Sequence, residues 1–515
     1  MKNTLHIAII TSIILNICFF VNVNLENKNK KVSFPRCANS EIIDTNKIVG
    51  FFEHHPEYNE FKSDVRKLYY KNNHLIWHDK DVITKFASML FKSANQLNDE
   101  GLPQYIPYKE ELDQVFYGNS KNMTDAELLI SSLYFYYIKK VYSGISKEKR
   151  MRTGWFLTKE KEIYSTGIDT LLFNPELKKK EMTELFSQYY SLRNGLKKYK
   201  TIAEKGGWQK IDAIKDKSIK FGTISTLITQ VRTRLATEGY LIGDSGKNEF
   251  DDDLLNGISN YQMHHNLKYD SLITNKLITS LNVSVENRIK SISVNMERCR
   301  WVDISPVDYI AINIPSYKLF YFKGNDLFFI SKVVVGKELN KTVVFKGEIN
   351  QIIFNPYWNV PQSILVKEIM PAINKNPNYL LQHHMEWHNG KVRQKPGKDN
   401  SLGLVKFIFP NSNNIYLHDT PQKSLFNQEK RAFSHGCIRV EKACELATII
   451  MESDYGWTEL QTISAMNSGK EKGYLLRRKI PVYIAYFTAW ADLQGQVSFY
   501  EDIYQRDALL ANMIF

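Results

Sequence analysis

The chain has 515 residues, 43% of them hydrophobic and 24% charged, with 68 Lys plus Arg against 55 Asp plus Glu for a net charge of +13. That composition excludes a disordered, collagenous or disulfide-stapled chain and predicts two or three globular domains. The positive excess favours anionic surfaces such as lipid headgroups or acidic wall polymers, but the lysines are scattered and no zinc-finger, helix-turn-helix or RNA-binding signature accompanies them, so nucleic acid is not an expected partner.

Lys2 precedes an apolar stretch from Leu5 to Val23 that reads as an export signal. Its length is near the lower limit for spanning a bilayer and no Ala-x-Ala site follows, so residues 1–23 are a signal peptide or an uncleaved membrane anchor. Either places the protein in the periplasm or on the extracytoplasmic face of the cell membrane, with inner-membrane association in the second case. Leu15-Asn16-Ile17-Cys18 is a poor lipoprotein box, because Asn16 and Ile17 stand where small residues belong. Residues 24–40 form a polar Lys/Asn-rich linker. Cys37, Cys299 and Cys444 make no even framework beside Cys18 and Cys437, and no disulfide is predicted; Cys299 and Cys444 read as small apolar fillers.

Residues 41–205 read as a helical domain. Glu60 to Tyr70, Val82 to Asn95 and Ala126 to Tyr142 place apolar residues at spacings of three and four, and Tyr134, Phe135 and Tyr136 read as core. Residues 221–283 repeat the helical pattern more tightly, with Gly239 as a helix C-cap and Tyr261-Gln262 in a helix that closes the core. From Ser305 the period becomes strand-like. Tyr309 to Ile314, Lys318 to Tyr321, Leu327 to Val335, Ile349 to Phe354, Lys406 to Phe409 and Asn414 to Leu417 are short, rich in Val, Ile, Phe and Tyr, and bounded by Gly, Asn or Pro. This β-rich domain spans 305–500 and is interrupted by an insertion over 362–403, which starts as a helix near Ser363 to Ala372; residues 501–515 are a C-terminal tail. His383, His384, Glu386 and His388 lie in the insertion without the His-Glu-x-x-His order of zinc proteases, so they read as surface polar residues and no metal or cofactor is expected.

The chemistry concentrates in one run. Tyr416-Leu417-His418-Asp419-Thr420 is followed, after the intervening segment, by Ser434-His435-Gly436-Cys437-Ile438-Arg439. A cysteine attacks carbonyls as thiolate and needs an imidazole to take its proton, and a glycine beside it lets main-chain N–H groups approach an oxyanion. With Asp308 to Pro315, Val333-Val334-Val335-Gly336 and Asn355-Pro356-Tyr357-Trp358-Asn359-Val360-Pro361 upstream in the same order, the segment resembles the L,D-transpeptidase family with its YkuD-type catalytic domain, in its large multi-domain branch.

The resemblance implies an α+β multi-domain protein: a helical scaffold domain, a small three-helix peptidoglycan-binding-like module, and a β-sandwich catalytic domain whose insertion is a capping subdomain over the cleft. In the module, Asp270-Ser271-Leu272-Ile273-Thr274 stands where Asp-Gly-Ile-Ile-Gly is usual, which puts the turn in question. The catalytic loop is expected to join a strand ending near His418 to a helix beginning around Glu441. Cys437 is the implied nucleophile and His418 the proton donor and acceptor. His435 is read as orienting the loop, and the N–H groups of Gly436 and Cys437 as oxyanion donors. Arg439 is read either as holding a substrate carboxylate or as structural, and Tyr357, Trp358 and Asn359 as the cleft wall. Lys341 to Phe345 replaces a Thr-Pro turn of relatives, a change expected not to touch catalysis. The implied function is acyl transfer between peptidoglycan stem peptides through a cysteine thioester, forming 3→3 cross-links. The alternatives are an L,D-carboxypeptidase or protein-to-wall attachment by the same chemistry, or a noncatalytic wall-binding scaffold. The implied partners are stem peptides and glycan, with carbapenems as covalent inhibitors.

Overall fold

The computed structural model describes residues 43, 46–71, 74–79, 82–118, 122–157, 185–302, 308–324, 326–492 and 494–515. The apolar segment 1–23, the linker 24–40, Cys18 and Cys37 lie outside them. Among the described residues no helix is long and apolar enough to cross a membrane.

The N-terminal helices pack around Met123–Ile138, which is buried on nearly every side. A helix apolar all round must be enclosed. Lys47–His54, Lys62–Lys71, Lys85–Ala94 and Lys109–Tyr117 enclose it, with a core running from Ile43 to Val141. The one buried carboxylate of this helix, Glu127, is satisfied by the Trp77 N–H at 2.9 Å, the Tyr69 hydroxyl at 3.1 Å and His78 Nδ1 at 2.7 Å. The helix expected from Val82 starts later. Thr84 caps it by accepting from the Ala87 N–H, so Val82–Ile83 (β2) is left to pair with His78–Asp79 (β1) in a small antiparallel hairpin.

Three helices, Thr226–Glu238, Asp252–His264 and Asn275–Leu281, form the next unit around Val231, Leu235, Leu254, Ile258, Tyr261 and Leu277. Gly239 is the left-handed C-cap of the first, and Tyr261 and Gln262 are buried on the second. The turn that lacks its glycines forms all the same. Ser271 takes φ +54°, and the Gln262 side-chain oxygen accepts from the Ser271 N–H at 3.0 Å.

The remaining strands are β3 (Tyr309–Asn313), β4 (Lys318–Lys323), β5 (Asp326–Gly336), β6 (Phe345–Phe354), β7 (Trp358–Asn359), β8 (Met385–His388), β9 (Lys391–Gln394), β10 (Val405–Ile408), β11 (Leu417–His418), β12 (Ala432–Ser434), β13 (Ile438–Val440), β14 (Lys472–Ala485), β15 (Ala489–Ala491) and β16 (Val497–Phe499). In place of two separate layers, nine of these strands make one sheet in the order β12-β5-β13-β11-β10-β6-β14-β3-β4, which closes on itself because β5 also pairs with β4, while β15 pairs with β16 apart from it. The eleven-residue β5 does this by pairing with β4 through Asp326–Lys332 and with β13 through Val333–Val334. Strands β12 and β13 were not legible in the sequence. They place the Ser-His-Gly-Cys run between two short strands, both paired to β5, and the helix that follows begins at Ala443 and not at Glu441. The strand expected over Asn414 to Leu417 is confined to Leu417–His418.

The ring encloses a core of Ile310, Ile312, Leu319, Val333, Val335, Ile352, Phe354, Phe407, Leu417, Ile438 and Val482. Each such side chain contributes about 1.5–3 kcal/mol on burial. Two helices far apart in sequence, Gln188–Glu204 and Val285–Cys299, pack on each other and share this core. So the end of the stretch read as scaffold is buried in the core it shares with the β-domain. The tail does likewise: Asp507–Ile514 is a helix whose Leu510 and Ala511 are buried in the same core. Cys299 is fully buried and Cys444 half-buried, both as free thiols.

The insertion is a small folded unit of its own. Short helical segments over Gln362–Lys375 and Tyr379–Gln382 cover the β7-β9-β8 sheet, with Val360, Ile364, Leu365, Ile369, Met385 and Val392 as core.

Candidate active site

Strand register assembles the site. His418 on β11 is the pairing partner of Lys406 on β10, antiparallel, and of Arg439 on β13, parallel. One step back, the Ile438 N–H donates to the Tyr416 carbonyl at 3.1 Å, which sets Cys437 beside Tyr416. Because side chains alternate along strands, Lys406, Tyr416, His418, Cys437 and Arg439 share one face. Leu417, Phe407 and Ile438, the alternate residues, face the core and fix that register. The structure therefore brings together His418, Cys437 and Arg439, and adds two residues the sequence reading missed, Tyr416 and Lys406. Tyr416 stands two residues before His418, a period-2 signal that was available.

The ring of His418 is oriented by its own chain. Nδ1 lies 2.5 Å from the Asp419 carbonyl, which can only accept, so Nδ1 carries the hydrogen and Nε2 keeps its lone pair. Burial, then the charges of Arg439 and Lys406, push its pKa down to about 3, against the pull of the Asp419 carbonyl. The imidazole is neutral and is a proton acceptor at Nε2. Cys437 is half-buried, and burial raises its thiol pKa; hydrogen bonding by Tyr416 and the charges of Lys406 and Arg439 oppose that. Its Sγ lies 3.6 Å from the Asn414 carbonyl. The site thus sets a thiol and a neutral imidazole on one sheet face, and deprotonation has to accompany attack.

Asp419 anchors the base from behind. Its carboxylate accepts from the Leu404 N–H at 2.9 Å and from Lys423 Nζ at 2.7 Å. A Cβ at Gly403 would sit 2.2 Å from that carboxylate, so glycine permits the close approach.

The nucleophile loop is held on both sides. Ser434 Oγ donates to the Cys437 carbonyl at 2.5 Å and accepts from the Gly436 N–H at 3.1 Å. That engages the Gly436 N–H expected to serve as an oxyanion donor. Among the described residues the Cys437 N–H has no acceptor, so it is the N–H open to an oxyanion. Gly436 has φ +117°, a backbone state that side chains rarely allow. On the other side, Thr342 Oγ1 donates to the Gly436 carbonyl at 2.9 Å and accepts from the Gly336 N–H at 2.9 Å. The Tyr504 hydroxyl completes this brace, accepting from the Thr342 N–H at 3.1 Å and donating to the Gly336 carbonyl at 2.6 Å. The Lys341 to Phe345 turn, read as not touching catalysis, contacts the loop directly, and the tail braces that turn from behind.

His435 turns away from the thiol. Its Nε2 lies 2.8 Å from Glu368 Oε1 of the insertion, which ties the inserted unit to the nucleophile loop. Tyr357, Trp358 and Asn359 go to the inserted unit: Trp358 and Asn359 form β7, the Arg393 guanidinium lies 4.1 Å from the Tyr357 ring centre, and the Tyr357 N–H donates to Glu471 at 2.6 Å. In the same unit Glu386 pairs with Arg393 at 2.7 Å and Lys395 at 3.0 Å, and His384 faces Asp399 at 4.0 Å.

Residues 307–465 match the family model described as the YkuD L,D-transpeptidase catalytic domain, and residues 63–196 match the one described as Scaffold domain. A Haemophilus influenzae protein named "Putative L,D-transpeptidase" is 34% identical over 245 residues, 43% of this chain and 49% of that protein. The match thus spans about half the length of that curated relative. Crystal structures of an L,D-transpeptidase from Stackebrandtia nassauensis (11% identity, TM-score 0.23, 53% of this chain and 97% of that one) and of one from Xylanimonas cellulosilytica (9%, 0.17, 53% and 100%) are also similar. At those scores the structural likeness carries no argument about fold or chemistry.

Proposed function

Because the chain carries an L,D-transpeptidase catalytic domain behind a scaffold domain, we propose that it transfers acyl groups between peptidoglycan stem peptides, with Cys437 as nucleophile and His418 as proton shuttle. The observation that carries this reading is the register that sets a half-buried thiol on the same sheet face as His418, one row away, whose imidazole has Nδ1 tied to a carbonyl and Nε2 left to accept. In the first step the thiol proton passes to His418 Nε2 while sulfur adds to the carbonyl of an L,D peptide bond. The Cys437 N–H receives the oxyanion. Collapse breaks the C–N bond, His418 returns the proton to the departing amine of the terminal D-residue, and a thioester remains. In the second step an acceptor amine adds to the thioester and gives its proton to His418, which reprotonates the sulfur as it leaves. A stem-peptide amine as acceptor gives a 3→3 cross-link, water gives carboxypeptidase activity, and a protein lysine gives attachment to the wall.

The intact Cys437 and His418 disfavour a purely noncatalytic wall-binding role. The apolar segment 1–23, read as an export signal or a membrane anchor, supports a site of action outside the cytoplasm, where the wall polymer is. Incubating the protein with purified disaccharide tetrapeptides and weighing the products tests the proposal. Loss of the terminal residue, alone or with a linked dimer, is expected, as is one carbapenem mass added to the protein. A Cys437→Ala variant that still forms either product sinks it.

A further inference from the structure

Across β10, β11 and β13 one row of side chains reads Lys406, His418, Arg439, since His418 is the register partner of both cations. Strands spaced about 4.8 Å apart hold the three on one face, beside the row that carries Tyr416 and Cys437. Lys406 is half-buried with its ammonium 3.8 Å from the centre of the Tyr416 ring. Among the described residues neither cation has a carboxylate in ion-pair range. Arg439 donates to the Gln422 side-chain oxygen at 2.5 Å. The acids of the neighbourhood are engaged elsewhere: Asp419 with Lys423, Glu441 with Lys332, Glu368 with His435, and Glu471 with the Tyr357 N–H, although the charge of Glu471 reaches Lys406.

Two like charges flanking an imidazole that burial already holds neutral destabilise the empty face. A ligand carboxylate between them removes that cost and gains charge-assisted hydrogen bonds, from a point charge on one side and a planar fork on the other. The leaving residue supplies such a group in the right place. Its α-carboxylate is one residue beyond the scissile carbonyl, about 3.8 Å of chain further on, which brings it within reach of long side chains on the neighbouring row.

We propose that Lys406 and Arg439 together receive the free α-carboxylate of the D-residue that Cys437 expels, so that the site reads the end of the peptide. The inference rests on the acyl-transfer reading of Cys437 and adds to it the group that selects the substrate. Lys406 and Arg439 are specificity residues here, while bond making stays with Cys437 and His418.

The test compares a disaccharide tetrapeptide bearing a free terminal carboxylate with the same compound as terminal carboxamide, measuring kcat/KM for release of the last residue by the full chain. The wild-type protein is expected to prefer the free acid by about 10-fold or more, the size of a charge-assisted hydrogen bond. Lys406→Gln and Arg439→Gln each lower that ratio, and Lys406→Arg restores it. Equal rates on both compounds in the wild type, or an undiminished ratio in Arg439→Gln or in a folded Lys406→Gln, overturn the proposal. The two variants lie on different strands, so misfolding of one leaves the other to decide. Release of the last residue from both compounds at equal rates defeats this inference alone. If neither compound is processed and Cys437 takes up no carbapenem, the acyl-transfer reading falls and this inference falls with it.

Discussion

The Thr342 hydroxyl donates to the Gly436 carbonyl at 2.9 Å, so a residue from another strand connection holds the peptide unit immediately before the nucleophile. Tyr504, from the C-terminal segment, clamps Thr342 and Gly336 together behind it. The loop's positive-φ glycine is thus fixed by a buried chain of hydrogen bonds that starts near the end of the polypeptide. Removing the Thr342 hydroxyl strands two buried main-chain groups, the Gly436 carbonyl and the Gly336 N–H, at a cost of about 1–3 kcal/mol.

Thr342→Val is therefore expected to slow carbapenem addition to Cys437 while the circular dichroism spectrum is retained, and Thr342→Ser to restore the rate. Tyr504→Phe is expected to act in the same direction with a smaller effect, since it leaves the Thr342 hydroxyl in place. Wild-type acylation rates in both Thr342→Val and Tyr504→Phe would show that the loop keeps its shape without the brace.

The pH dependence follows from the two shifted groups. With the His418 pKa pushed down to about 3 and the Cys437 thiol raised, the site holds no thiolate–imidazolium pair at neutral pH. Alkylation of Cys437 by iodoacetamide is expected to climb steadily with pH toward and beyond 9, with no plateau near 6.5. A plateau beginning below pH 7 would mean that the pair is ionised at rest. Because His418 has a lower pKa folded than unfolded, the unfolded chain binds the proton first. This histidine's contribution to stability is full above about pH 6.5 and is lost as pH falls toward 3. His418→Ala should cost on the order of 10²-fold or more in acyl transfer, and its urea midpoint should depend less on pH over that interval than the wild type's.

The contact between His435 and Glu368 makes the inserted unit a partner of the nucleophile loop. A thioester that must meet an amine before water benefits from a covered site. Glu368→Gln weakens the tie to the loop and is expected to raise the proportion of trimmed over dimeric muropeptides, with Cys437 acylation by a small carbapenem largely kept. An unchanged proportion would leave the contact without a part in partitioning.

Part of the fold could be read directly from local pattern. Gly239 as a C-cap, Tyr261 and Gln262 in the closing helix, and the strand cores around Ile310, Leu319 and Ile352 all follow from period and cap chemistry, which act within a few residues. Short elements were missed where the local signal is weakest. Three-residue β12 and β13 have no period of their own and exist because β5 offers them hydrogen-bonding partners. The turn at Ser271 forms without glycine because Gln262, in the helix that precedes it, accepts its N–H.

The sequence by itself determined the kind of chemistry: a thiol, a histidine and a glycine in one run, ahead of which lies a patterned β-domain. Tertiary structure decided how those groups are set. Strand register, fixed by burying Phe407, Leu417 and Ile438, turned Lys406, Tyr416 and Arg439 onto the same face as His418 and Cys437. It also turned His435 toward Glu368 and brought Tyr504 under the loop. Those relations depend on which distant strands and segments meet, and local sequence does not encode which partner a neutral imidazole, an unpaired cation or a loop carbonyl finds across the sheet.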